Sequence, residues 1–366
     1  MRKCKLLLAI VAIFFAIFQP VQVRAEDSAD AKGFLEKFEE LAGYEAGEIS
    51  NPESFAEGIG IDALLSNVIA SLSGSGSSVL SFFLLLLASA LIMSLSESEA
   101  HFSSFSGDSL SVGVFAVFSA VIFSKIYPVI KSVSLVVQEL STFFSSLIPI
   151  FSGVLASSGN IKSAAAEVLN MNVALAYVNF FSSKFLLPVS FSLFFIALIS
   201  GFDIGAVASL GKRIKGVFTW GIGVTTAILL GATSLQSIVA SASDGAYLRA
   251  AKYAASSAIP IVGSAVSSVL GTLAGGFSYA KGAIGAASVF FIMSFCLSPL
   301  IILLLYKLSL SVASIALDFS GSSRGVRVFL AFSSALDAVI ATYVTVVAVC
   351  ICQIIIFIKS GVSFFG

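Results

Sequence analysis

The chain has 366 residues, of which 58% are hydrophobic and only 11% charged, with 34 phenylalanines and a mean hydropathy of +1.04. A soluble domain carries roughly 25% charged residues, so this composition cannot clothe a globule in polar surface, and its apolar content excludes a disordered chain. Twenty basic residues balance twenty acidic ones; no basic stripe suits nucleic acid, and the class that remains is an all-α polytopic membrane protein.

At the N-terminus, Arg2, Lys3 and Lys5 precede an apolar run from Leu6 to Phe18. That run is short for a span, which needs about 20 residues. Pro20 ends it, and Val23-Arg24-Ala25 places small residues at the −3 and −1 positions of a cleavage site. The layout predicts a signal peptide over residues 1–25, with an uncleaved anchor as the alternative. Either way, the chain beyond residue 25 starts outside the cytoplasm.

Residues 26–78 hold eleven acids against Lys32 and Lys37. Phe34, Leu35, Phe38, Leu41 and Ala42 recur at helical spacing, with Gly43 as a stop. Asn51-Pro52-Glu53 reads as a second helix start: an N-cap, a proline at N1 and an acid in the first turn. Phe55, Ile59, Leu64, Leu65, Val68 and Leu72 continue its apolar stripe, and Gly74-Ser75-Gly76-Ser77-Ser78 reads as a flexible joint. The expectation is an extracytoplasmic segment of two short amphipathic helices that docks on a partner or on the membrane face.

The membrane domain is expected over 79–366, with about 6–8 transmembrane helices. Candidate runs are 79–95, 110–130, 143–157, 164–181, 185–202, 216–233, 283–306 and 335–358. The run 164–181 carries Glu167, Asn170 and Asn172, so it should face other helices rather than lipid. Lys162, the cluster Lys212-Arg213-Lys215, Arg324 and Arg327 fall inside on this topology, in line with the positive-inside rule, whereas Lys131 and Lys359 fall outside.

The stretch Gly245 to Gly285 stands out. Its first half is an alanine-rich helix with Arg249, Lys252 and Tyr253; Ile259-Pro260 breaks or kinks it. Gly263, Ser267, Gly271 and Gly275 then form a row at four-residue spacing, a device for close helix approach where lipid gives no hydrophobic drive. This helix–break–helix fits a re-entrant element buried in protein or lining a cavity; a kinked ordinary span is the alternative. Arg249 and Lys252 could face an aqueous path or pair with Glu167 or Asp337.

No phosphate-binding loop, dinucleotide fingerprint, metalloprotease or serine-nucleophile motif occurs, so no catalytic residue, cofactor or metal ligand is expected, and the chain reads as no enzyme. His101 lacks a ligand set. Cys296, Cys350 and Cys352 lie in apolar runs as buried small hydrophobes. Glu139, Glu167 and Asp337 are candidate intramembrane acids that could couple protons.

The run Lys252 to Ser267, KYAASSAIPIVGSAVS, together with Gly231-Ala232-Thr233 and Leu235-Gln236, resembles the stage III sporulation protein AE family of endospore-forming bacteria. The signal sequence, the acidic segment with Gly43-Tyr44 and Asn51-Pro52, and the many spans also look like that family. The resemblance implies a sporulation-specific channel or secretion-like complex across the two membranes around the forespore, with this chain in the mother-cell-derived membrane. It implies as partners other stage III sporulation A proteins, including the cytosolic ATPase AA, and stage II sporulation protein Q, besides membrane lipid. The alternative is a free-standing secondary transporter for a small solute, which an inverted repeat with paired broken helices would favour; only the element at 245–285 is broken.

Overall fold

The computed structural model describes residues 61–100, 106–181, 186–199, 205–258 and 263–361. The signal peptide, the helix expected around Phe34 to Ala42, the cap at Asn51-Pro52 and Pro260 lie outside the described residues. Seven helices are found among the described residues: α1 Ile61–Ala100, α2 Ser106–Ser157, α3 Ile161–Asn179, α4 Leu187–Ile199, α5 Gly205–Ala258, α6 Gly263–Ser320 and α7 Ser323–Lys359. The all-α membrane class stands. Five helices contain a stretch long and apolar enough to cross a membrane: Ser73–Ser96, Gly113–Ser157, Arg213–Ala250, Tyr279–Ser320 and Ser323–Lys359. A shorter apolar stretch, Pro188–Ala197, lies in α4.

Where they are described, the candidate runs of the membrane domain fall on helices, but their boundaries differ. The runs 110–130 and 143–157 belong to one helix, α2. The polar stretch between them, which includes Lys131 and Gln138, holds neither Pro nor Gly, and α2 continues into it past Pro128. Gly74 to Ser78 is no joint: α1 runs through it without interruption. A glycine costs a helix only about 1 kcal/mol, and the strongly apolar turns beyond it hold the segment helical. The break expected at Ile259-Pro260 falls between α5 and α6, yet the arm beyond it is no short separate helix; it forms the first turns of the 58-residue α6. Four of the five apolar stretches have 37 to 45 residues, close to twice the ~20 that one crossing needs, so they tilt steeply or extend past the hydrocarbon.

By their contacts the residues divide into two units. The first draws on Met1–Val136, Ser183–Trp220 and Cys296–Tyr343. Its core is aromatic: Phe82 stacks on Tyr306 with centroids 4.5 Å apart, and Phe123 meets Phe191 and Phe194, with Phe332 against Phe194. Tyr343 is buried and donates to the Cys296 carbonyl oxygen at 2.9 Å. The α6–α7 turn also belongs here. Gly321, at φ +85°, lets the amides of Gly321 and Ser322 reach back to Asp318 and Leu317, the double bond of a Schellman stop. Ser322 then caps α7 by accepting from the Gly325 amide at 3.3 Å.

The second unit draws on Val137–Ser182, Gly221–Phe295 and Val344–Gly366. Phe151 and Phe357 stack at 3.7 Å, and Phe143 meets Phe291 at 4.5 Å. Gly159, at φ +82°, closes the α2–α3 turn with the same pair of backbone bonds, to Ala156 and Leu155. On α5, Ile228, Leu235, Ile238 and Val239 are exposed, the exposure expected of a lipid-facing surface on a membrane helix.

Candidate functional site

The polar side chains of the second unit gather around α3. This helix has no cap of its own: Asn160 makes no side-chain cap bond, and the first turn holds no acid. Asp244 of α5 supplies the cap instead. It is 4% exposed, and its carboxylate accepts from the Lys162 amide at 3.1 Å and the Ser163 amide at 2.7 Å. Two free N–H groups at a helix start are a natural seat for a negative charge. Lys162 Nζ donates to Ser243 Oγ, and Ser241 Oγ accepts from the Gly361 amide at 2.7 Å. The start of α3, the middle of α5 and the end of α7 are thus pinned together by polar contacts.

About a turn further along α3, Glu167 and Asn170 point inward and are buried. Their spacing of three places them on one helix face. Asn170 Nδ2 donates to the Thr233 carbonyl oxygen at 3.2 Å, and Gln353 Nε2 donates to Thr233 Oγ1 at 2.9 Å. Ser141 Oγ and Tyr177 Oη add contacts to Asn179 and Thr226. Lys281 of α6 lies close enough to Glu167 for their charges to interact, while its ammonium donates to the Ser360 carbonyl oxygen. The expectation that the segment beginning at 164 faces other helices holds at Glu167 and Asn170. Asn172 differs: it is exposed and bonds back to Val168 of its own helix.

The three candidate acids have three different settings. Glu139 is exposed on α2. Asp337, in the first unit, is held between two lysines, Lys215 at 2.7 Å and Lys307 at 2.5 Å. Those lysines are its partners among the described residues. Glu167 alone of the three is buried without a hydrogen bond to either oxygen.

Of the residues singled out at 245–285, Arg249 and Tyr253 have described side chains. Arg249 is exposed, and Tyr253 is 78% exposed. Gly263, Ser267, Gly271 and Gly275 lie on the first turns of α6; the side chains around them, and that of Lys252, lie outside the described residues. Among the described glycines of the stretch the tightest is Gly285, its last residue and off the four-residue row. A Cβ there would collide with the Ile358 side chain of α7. Asp244 and Gln353 make buried polar contacts in this unit without having been marked in the sequence, and Thr233 was marked only within the family run. For Thr233 and Gln353 the available signal is a polar side chain within an apolar run.

A groove of about 580 Å³ runs between α3 and α5, lined by Ala165, Ala166, Leu169, Leu235, Val239 and their neighbours. It takes a different face of α3 from Glu167.

Comparison with known proteins places these features in a family. The model of the family described as Stage III sporulation protein AE matches residues 48–361 of the chain. Stage III sporulation protein AE of Bacillus subtilis (strain 168) is 23% identical over 273 residues, covering 72% of this chain and 67% of that protein. No solved structure matches.

Proposed function

Because the chain belongs to the stage III sporulation protein AE family, we propose that it is a non-enzymatic, integral membrane component of a multiprotein channel or secretion-like complex needed for spore development. The observation that carries the reading is the family match over residues 48–361, which takes in every apolar helix described. In this reading the chain sits in the mother-cell-derived membrane around the forespore. Its partners are other stage III sporulation A proteins, among them the cytosolic ATPase AA, and stage II sporulation protein Q. The division into an acidic docking segment at 26–78 and a membrane domain at 79–366 belongs to the same proposal. The apolar stripes of the segment need burial against something, and its negative charge disfavours anionic headgroups.

The test is purification of the tagged chain from sporulating cells, with mass spectrometry of the proteins that accompany it. Recovery of those partners supports the reading, and their loss on replacing Phe34, Phe38 and Phe55 with Ser assigns the docking to the acidic segment. A chain that comes down alone from gently solubilised sporulating membranes defeats the complex and leaves the second reading, a secondary transporter. One observation favours that second reading: the buried, unpartnered carboxyl of Glu167 among apolar helices.

A further inference from the structure

Glu167 lies in a cluster that has too many acceptors. The Asn170 amide is oriented by Thr233: its Nδ2 faces a backbone carbonyl, which can only accept, so Oδ1 must point elsewhere. Gln353 is oriented in the same way. The Thr233 hydroxyl donates within α5 to the Leu229 carbonyl at 3.0 Å and accepts from Gln353 Nε2, which turns Oε1 away from it. Asn170 Oδ1, Gln353 Oε1 and both oxygens of Glu167 are buried and without a hydrogen-bond partner. Four acceptors on three side chains therefore lack a donor.

A bare carboxylate in such surroundings is costly, and so are idle amide carbonyls. A proton on Glu167 changes both: it removes the negative charge and creates a donor one helical turn from Asn170 on the same face of α3. The other two candidate acids do not share this setting, since Asp337 is held by two lysines and Glu139 is exposed.

We propose that Glu167 is the proton-binding group of this membrane domain, with Asn170 as the acceptor of its proton and Lys281 as the charge that governs its release. The groups brought to α3 by its neighbours bear on this. From α6 comes Lys281, already donating to Ser360, with the unpartnered Tyr279 hydroxyl two residues away. From α5 come Thr226, Thr233 and Asp244, the last occupied by the Lys162 and Ser163 amides. From α7 comes Gln353, which carries no charge. The positive charge of Lys281 favours the carboxylate, so a movement that brings the ammonium nearer expels the proton, and one that withdraws it lets the proton return.

The inference stands on side-chain geometry and not on the family reading, so its failure would leave the purification result untouched. The test uses the full chain in lipid vesicles and dicyclohexylcarbodiimide, which reacts with protonated carboxyls in apolar surroundings. Near neutral pH, peptide mass spectrometry should find Glu167 labelled roughly tenfold more than Glu139, with labelling falling as pH rises. Lys281→Met removes the charge that favours the carboxylate, so labelling should persist to higher pH. Infrared pH-difference spectra give a second readout that needs no reagent access: Glu167→Gln should lose one protonated-carboxyl band. Equal labelling of Glu167 and Glu139 with no band lost overturns the proposal. So does a pH dependence unmoved by Lys281→Met. Labelling suppressed by sodium at constant pH and ionic strength would make a metal cation the occupant and equally overturn the proton assignment.

Discussion

The cap that Asp244 lends to α3 gives the sharpest stability prediction. Replacing Asp244 with Ala removes the acceptor for two backbone amides at once, those of Lys162 and Ser163. Loss of an N-cap costs about 0.5–2 kcal/mol, and a buried amide left without a partner costs about 1–3 kcal/mol. The Ser163 contact is fully buried and the Lys162 contact only partly so, so the second amide recovers some of its loss by meeting water. A total of about 3 kcal/mol results, or roughly a hundredfold in the opening equilibrium of the first turns of α3. Asn at 244 keeps one carbonyl oxygen but turns an NH₂ group towards the other amide, so about half the effect should remain. Hydrogen–deuterium exchange in lipid nanodiscs reads this directly. Exchange over residues 161–166 should accelerate by about two orders of magnitude in Asp244→Ala, while residues 323–343 of α7 in the other unit stay as they were. If α3 exchanges within about twofold of the parent, the two contacts do not hold the helix and the reasoning fails.

The same packing sets three further expectations. Gly285→Val should lower unfolding resistance in detergent by about 1–3 kcal/mol, the range for overpacking, and Ile358→Ala should restore part of it because Ile358 is the side chain in the way. Asp337→Ala leaves Lys215 and Lys307 facing each other; with these side chains about a third exposed, the loss should be modest, about 1 kcal/mol, and Asp337→Ala combined with Lys307→Met should recover it. Tyr343→Phe removes the bond to the Cys296 carbonyl while keeping the ring, so a cost of about 1 kcal/mol is expected in the same unfolding titration.

Much of the fold could be read from hydropathy, because a span must be apolar over about 20 residues whatever it packs against. Where one helix ends is a different matter. Lys131 and Gln138 lower the hydropathy of α2 without stopping it, Pro128 and Pro149 do not stop it either, and Gly74 and Gly76 do not suffice within the 40-residue α1. The inward face of α3 was legible at Glu167 and Asn170, because polar groups in apolar runs seek protein rather than lipid. Their partners were not. Asn170 reaches Thr233 across 63 residues, Gln353 reaches it across 120, and Asp244 caps a helix that starts about 80 residues earlier. Such pairings arise from tertiary approach, and no local spacing encodes them. Gly285 shows the same limit: its close approach is set by where Ile358 of α7 lies, 73 residues further along the chain, and no local spacing marks it.

Membership of the family assigns this membrane chain to spore development. Heat-resistant spore yield from a strain lacking the chain tests it most directly, with vegetative growth measured alongside. The expected result is normal growth and a yield lower by several orders of magnitude, restored when the chain is supplied again. A deletion strain that sporulates like its parent, or one whose defect appears equally in vegetative growth, would contradict it.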